Sequence, residues 1–407
     1  MGIIQFIRAN APFLAAGALL TFCSSFGQTY LISVFAGVIR AEYGLSHGDW
    51  GLVYSIGTFA SAIVLVWAGV LTDHFRARLL GAVVLTMLAV ACVSMALVPG
   101  AWALPIVIFA LRFAGQGMTT HIAVVAMARW FVVSRGKALS IASMGVAVGE
   151  ALLPLLSVWM LDIAPWRGIW IAYAVFLLLM VPVLTRLLRL ERTPQSVAAE
   201  SQAVGMLDRH WTRGQAFRHW LFWLIVPMIL GPSAWSTAFF FQQVHLAETK
   251  GWSHVQLVSL FPIFTVFGVI SMIVSGWVID RVGTARLMPM IQLPMALGFV
   301  IIGLTDGLAI AGFGMVLMAI SQGANSTLPN AFWAEFYGTR HMGAIKAMAT
   351  AVMVFGSAVG PLVTGYLIDS GINFEDQMVG ISGYFIFAAV LTWIGVSRAR
   401  RLLPYAA

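Results

Sequence analysis

Three ionisable side chains lie deep inside long apolar runs: Arg112, His121 and Glu150. Ionisable groups in hydrocarbon are expensive and usually serve ion or proton handling. A guanidinium can hold a carboxylate through two parallel hydrogen bonds, and a carboxyl group can take up and release a proton. His121 follows Met118 by three residues, which admits a soft-metal site. A lone histidine on a helix side shared with Ala114 and Gly117 reads first as a packed, hydrogen-bonded one, because small residues mark close helix packing.

Spacing relates the charges to one another. Counted from the start of its apolar run, Arg112 lies roughly 13 Å below one membrane face, and Glu150 in the next run roughly 16 Å below the same face, at 1.5 Å per residue. The matched depths predict an Arg112–Glu150 pair between adjacent helices, each charge making the other tolerable. Arg112, Gln116 and Thr119 follow i, i+4, i+7, and Ser143, Glu150 and Ser157 recur every seven residues, so each helix carries one polar stripe. Facing stripes would line a water-accessible route with Glu150 as proton carrier; the same residues would serve equally as a static salt bridge.

The elements that must position these groups are membrane helices. Of 407 residues, 60% are hydrophobic and 9% charged, against about 25% charged in soluble domains. The apolar runs approach the roughly 20 residues a spanning helix needs, which excludes a soluble globular protein. Twelve spans are expected, at 11–38, 51–71, 79–98, 103–128, 138–161 and 168–188, then 219–244, 255–279, 287–305, 308–332, 344–368 and 380–397. The first run is too long and too poorly flanked for a cleaved signal peptide. The fold class is therefore an all-α membrane protein, twelve transmembrane helices in two six-helix bundles, 1–188 and 219–407, joined by a polar linker at 189–218.

Of 23 Lys and Arg, only Arg40, Arg167 and Lys250 fall in loops on one side. The rest, Arg112 apart, gather on the other, which by the positive-inside rule is the cytosol and holds both termini and the linker. The net charge of +8 is thus topology and gives no reason to expect nucleic acid. Cys23 and Cys92 both sit in apolar runs, so no disulfide or Cys–metal cluster is indicated.

A polar turn recurs between apolar runs. Gly69-Val-Leu-Thr-Asp73-His74-Phe-Arg76-Ala-Arg78 follows span 2, and Gly276-Trp-Val-Ile-Asp280-Arg281-Val-Gly283-Thr-Ala-Arg286 follows span 8. Two such halves, with Arg112-Phe-Ala-Gly-Gln116-Gly117 in span 4 and Gly356-Ser-Ala-Val-Gly360-Pro361 in span 11, resemble the major facilitator superfamily along essentially the whole chain. The first turn departs from that pattern: His74 stands where Arg is usual and Arg76 where Gly is usual. The resemblance implies that the turns act as a latch, Asp73 capping span 11 and Asp280 span 5, with Arg76, Arg78, Arg281 and Arg286 completing the gate.

It also implies that spans 1, 4, 7 and 10 line a cavity, with Gln28, Tyr30, Arg112, Gln116, Ser236 and Asn325 as substrate contacts and Phe239-Phe240-Phe241 as an aromatic wall. The loop Arg129-Trp130-Phe131-Val-Val-Ser-Arg135-Gly136-Lys137-Ala138, with Ser24-Ser25-Phe26-Gly27, is similar to the oxalate/formate-antiporter and monocarboxylate-transporter branch. That resemblance implies a small organic anion moved with or against another ion, the coupling ion a proton and the transporter a monomer in a plasma membrane of the bacterial inner-membrane type. No dicarboxylate is expected, because no second deep cation is present and Lys346 lies near a membrane boundary. The alternatives are efflux of drugs or amphiphiles and, further off, copper transport. No catalytic constellation and no phosphate-binding Gly-x-x-x-x-Gly-Lys-Ser/Thr loop is discernible, so neither an enzyme, nor a resident cofactor, nor ATP-driven pumping is expected.

Overall fold

The computed structural model describes residues 3–69, 71–131, 135–189, 204–338 and 340–404. Nearly all of them are helical; the β-pairing among the described residues is a single isolated antiparallel bridge between Gly205 and Arg209. A chain in lipid must satisfy its backbone within each segment, and apolar stretches of this length do so only as helices. Eleven helices among the described residues are long and apolar enough to span a membrane, and Leu293–Leu304 occupies the ninth place as a shorter apolar helix. It falls short of the expected 287–305 because Pro289 and Pro294 lack amide donors; helix resumes at Leu293 with Pro294 in its first turn. Large side chains stand exposed on outer faces, Trp67 at 75%, Trp102 at 73% and Leu304 at 73%, a pattern that suits lipid and not water.

The chain forms two compact units, Met1–Ala199 and Glu200–Ala407. In the first, span 1 is broken. Ile3–Ser24 is followed by a tight turn, Ser25–Gly27, then by extended Gln28 (φ −87°, ψ 152°), Thr29–Ile32 and Ala36–Tyr43. Span 2 is His47–Ala68, opened by a Ser46–Asp49 capping box. Span 3 is Ala77–Ala96. Span 4 runs from Leu104–Leu111 through a π-helical segment, Arg112–Thr119, into Thr120–Trp130. Spans 5 and 6 are Arg135–Leu161 and Trp166–Leu187.

The second unit repeats this plan. Span 7 comprises Trp220–Gly231, a π segment Pro232–Ser236, Thr237–Phe241 and Gln243–Thr249. Span 8 is Phe261–Val282, and spans 10 to 12 are Leu308–Tyr337, Met342–Asp369 and Phe374–Ala399. The 189–218 segment is not linker throughout. Residues 190–203 lie outside the described set, but Met206, Trp211 and Ala216 are buried with Phe332, Trp333, Phe336 and Tyr337. The Trp211 amide donates to the Tyr337 carbonyl. Gly205 passes so close to the end of span 10 that a Cβ there would lie 2.5 Å from the Phe336 carbonyl oxygen.

Candidate functional site

In the first unit the polar groups converge on the break in span 1. Gly27 and Gly115 make the crossing of spans 1 and 4 possible: a Cβ on Gly27 would lie 2.1 Å from the Leu111 carbonyl oxygen, and one on Gly115 would lie 2.6 Å from Gly27 Cα. Because Gln28 is extended, the Gly27 carbonyl is freed from the helix ladder and accepts from Arg112 Nη1 at 3.2 Å. The same nitrogen donates to Thr29 Oγ1 at 3.2 Å. Thr29 is hydrogen-bonded to the Tyr54 hydroxyl, and the guanidinium lies over the Tyr54 ring, 5.3 Å from its centroid.

Arg112 is 2% exposed, and its Nε–H has no hydrogen-bond partner among the described residues. No carboxylate among the described residues forms an ion pair with it. The pairing with Glu150 expected from matched depth is therefore not formed. The physical reason is the unwound turn of span 1, which offers Arg112 a backbone acceptor.

Glu150 belongs to the same neighbourhood through another partner: it interacts electrostatically with Tyr30, whose hydroxyl donates to Ser25 Oγ at 2.8 Å. Spans 1 and 5 meet closely there, since a Cβ on Gly145 would lie 2.0 Å from the Ala18 carbonyl oxygen and one on Gly149 the same distance from Ser25 Oγ. Tyr30 is buried and Gln28 partly so. Within this unit the structure gathers Arg112, Tyr30, Gln28 and Glu150 around one break.

The expected stripes do not survive intact. In the π segment of span 4, i→i+5 bonding replaces the helical repeat, and the Thr119 hydroxyl turns back to donate to the Ala114 carbonyl at 2.6 Å. Gln116 is exposed while Arg112 and Thr119 are buried. Ser157 of span 5 is hydrogen-bonded to the Tyr173 hydroxyl of span 6 at 2.6 Å, and Thr21 of span 1 donates to the Ala142 carbonyl of span 5. These hydroxyls join helices. His121 is hydrogen-bonded to the backbone of Gly69, the first residue of the polar turn.

Sequence reasoning missed Tyr54 and the role of Thr29. A tyrosine amid the apolar residues of span 2 was the available signal.

In the second unit Ser236 is buried and its hydroxyl contacts Met295 Sδ at 3.8 Å. Asn325 donates to the Ser321 carbonyl at 2.9 Å and accepts from Gln292 at 3.2 Å. Gln292, another residue the sequence did not single out, also donates to the Met228 carbonyl at 3.1 Å, tying the start of span 9 to spans 7 and 10. The expected aromatic wall is core: Phe239, Phe240 and Phe241 are all buried, and the first two pack on Phe299, Phe261 and Phe264. Three successive residues cover most of a helical turn, so a triple-Phe run reaches the packed side whichever way the helix faces.

The two polar turns have different backbones. After span 8 the helix stops at Gly283 with φ +82°, a conformation glycine adopts without strain. At the corresponding place after span 2, Arg76 is extended (φ −66°, ψ 141°), and Leu71–His74 forms a separate short helix. Arg76, Arg78, Arg281 and Arg286 are exposed, and Arg281 lies 3.7 Å from the Trp277 ring centroid. The side chains of Asp73 and Asp280, like those of Arg129, Arg135 and Lys137 and all of residues 132–134, lie outside the described set.

The comparisons with known proteins agree with this architecture. The sequence signature of the Major Facilitator Superfamily matches residues 17–361, so the chain belongs to that superfamily, whose members are transporters and not enzymes. Among solved structures, the chain is similar to a bacterial homologue of the human lysosomal transporter Spinster, inward-facing and unoccupied. The TM-score is 0.74 at 15% identity, covering 98% of this chain and 99% of that one. It is likewise similar to a point mutant of the nucleoside transporter NupG, with TM-score 0.70, 13% identity, and coverage of 96% and 99%. At such identities the likeness is one of fold. No curated protein sequence matches the chain.

Proposed function

We propose that this transporter moves a small organic anion, a monocarboxylate by class, and that the driving ion is a proton, either carried along or exchanged. The observation that carries the reading is the Arg112 guanidinium, buried with its Nε–H unpartnered and with no ion-paired carboxylate among the described residues. Uncompensated buried charge costs several kcal/mol. The Gly27 carbonyl, the Thr29 hydroxyl and the Tyr54 ring solvate the cation without neutralising it. A monocarboxylate would bring one negative charge and two acceptor oxygens to the guanidinium. A neutral solute would leave the charge as it is, and a dicarboxylate would bring one charge too many.

The similarity of Arg129–Ala138 to the oxalate/formate and monocarboxylate branch supports the same class. In this reading Gln28, Tyr30, Gln116, Ser236 and Asn325 contact the solute, Glu150 carries the proton, and Asp73, Arg76, Arg78, Asp280, Arg281 and Arg286 gate the route. The protein works as a monomer in a plasma membrane, bacterial inner membrane by type, with both termini in the cytosol.

The test is uptake of labelled small monocarboxylates into proteoliposomes, with and without an inward proton gradient, comparing wild type with Glu150→Gln. Gradient-driven uptake that the variant loses, with counterflow exchange retained, is the expected result. Absence of uptake for every monocarboxylate under both conditions rejects the anion reading.

A further inference from the structure

At the end of each unit remote from its polar turn, the same three chain ends are tied together: the end of the first span, the end of the third, and the start of the sixth. In the first unit Arg167, second residue of span 6, pairs with Glu42 in the last turn of span 1, Nη2 to Oε1 at 2.6 Å. It also donates to the Ala96 carbonyl at the end of span 3 at 2.6 Å and to the Tyr43 hydroxyl at 2.6 Å. Trp166 Nε1 donates to the other oxygen of Glu42 at 2.7 Å.

In the second unit the charges are exchanged. The cation is Lys250, at the end of span 7, and the anion is Glu375, second residue of span 12, 3.1 Å apart. Lys250 Nζ donates to the Gly303 carbonyl, near the end of the ninth helix, at 2.7 Å. Its side chain is 4% exposed and lies 3.4 Å from Asp306, which is 92% exposed and so adds little. Lys250 directly precedes the left-handed Gly251, whereas Glu42 falls two residues before the left-handed Gly44. The two ties therefore share their chain ends and differ by one helical position and in polarity.

In both units the tied first span is interrupted: at Ser25–Gln28 in span 1, at Pro232–Ser236 and Gln242 in span 7. A break uncouples the segment beyond it from the rest of its helix, so that segment needs its own anchor. In the first unit the segment begins with Thr29, which holds Arg112, and ends with the anchored Glu42. We propose that Glu42–Arg167 and Lys250–Glu375 are positioning pairs that hold the distal segments of the two broken spans, and that either polarity performs the task. The second unit makes the cation-first arrangement explicit, its lysine reaching a third-span carbonyl as Arg167 does from span 6.

The test needs no substrate and is independent of the anion reading. Full-length protein carrying Cys23→Ala, Cys92→Ala and Gln28→Cys is reconstituted in lipid vesicles and labelled with a charged methanethiosulfonate. Glu42→Lys and Arg167→Glu should each raise the labelling rate about fivefold, the effect of losing one modest ion pair from a local closing equilibrium. The exchanged pair E42K/R167E should return the rate to within about twofold of the parent, the coupling a double-mutant cycle reads.

A double variant as reactive as the singles overturns the proposal. So do single reversals that lower the melting temperature yet leave labelling unchanged, which would make the pair a staple without a positioning role. Where a reversal does not fold, Glu42→Gln keeps the side chain's size and removes its charge; it must raise labelling in the same direction, and unchanged labelling overturns the proposal equally.

Discussion

Lysine would keep the charge of Arg112 and lose its planar fork, so Arg112→Lys separates charge from geometry. The arginine reaches Gly27 and Thr29 with one nitrogen and keeps its Nε–H unspent; an ammonium has no fixed fork to divide in this way. The expected outcome is Arg112→Lys protein that inserts normally and binds its monocarboxylate about tenfold more weakly, the worth of one charge-assisted hydrogen bond, read as apparent KM in proteoliposome uptake. Arg112→Ala should abolish transport while insertion persists, and an active alanine variant would remove this residue from the mechanism.

At the other end of the unit, the Arg167 hydrogen bond holds the Glu42 carboxyl below its ordinary range. A lowered folded pKa means stability that is full above the ordinary glutamate value and lost as pH falls through the folded one. Wild-type melting temperature should therefore drop on acidification below the ordinary glutamate range more than that of Glu42→Gln. Parallel curves would contradict the linkage. Depth made Arg112 and Glu150 visible in the sequence; the acceptor that Arg112 uses was hidden, because a backbone carbonyl becomes available only where a helix unwinds.

Helices announce themselves by length and apolarity, and their interruptions do not. The π segments at Arg112–Thr119 and Pro232–Ser236 leave no periodic trace, so a stripe drawn at helical spacing through Arg112, Gln116 and Thr119 joined residues that the structure separates, Gln116 being exposed and the other two buried. What the sequence did carry was the repeat. Gly44 and Gly251 are both left-handed, and Ser46 and Ser253 both head capping boxes, each pair at the interval that separates Gly69 from Gly276. The prediction at this scale concerns the span 1–span 4 crossing. Gly27→Ala would drive a methyl group to 2.1 Å from the Leu111 carbonyl oxygen, and backbone cannot swing aside as a side chain can. A loss of about 1–3 kcal/mol, the usual range for overpacking, should appear as a lower midpoint in detergent unfolding, whereas Gly214→Ala, with nothing within 4 Å, should be nearly neutral.

For the whole molecule, twelve helices in the superfamily's architecture were legible because hydropathy and charge asymmetry answer to the bilayer alone. The proposed orientation predicts that a C-terminal tag on intact cells is reached by protease only after permeabilisation; digestion from outside would invert it. The segment Gly205–Arg218 was less legible, since polar composition says nothing about docking. Its place against span 10 has a consequence for biosynthesis. Trp211 leaves the ribosome well before Tyr337, the residue whose carbonyl receives its amide. At about 5–20 residues per second the delay is on the order of ten seconds. Throughout that interval Met206 and Trp211, buried in the finished protein, lack their partners on span 10, and the second unit cannot complete this packing until its fourth helix has been made.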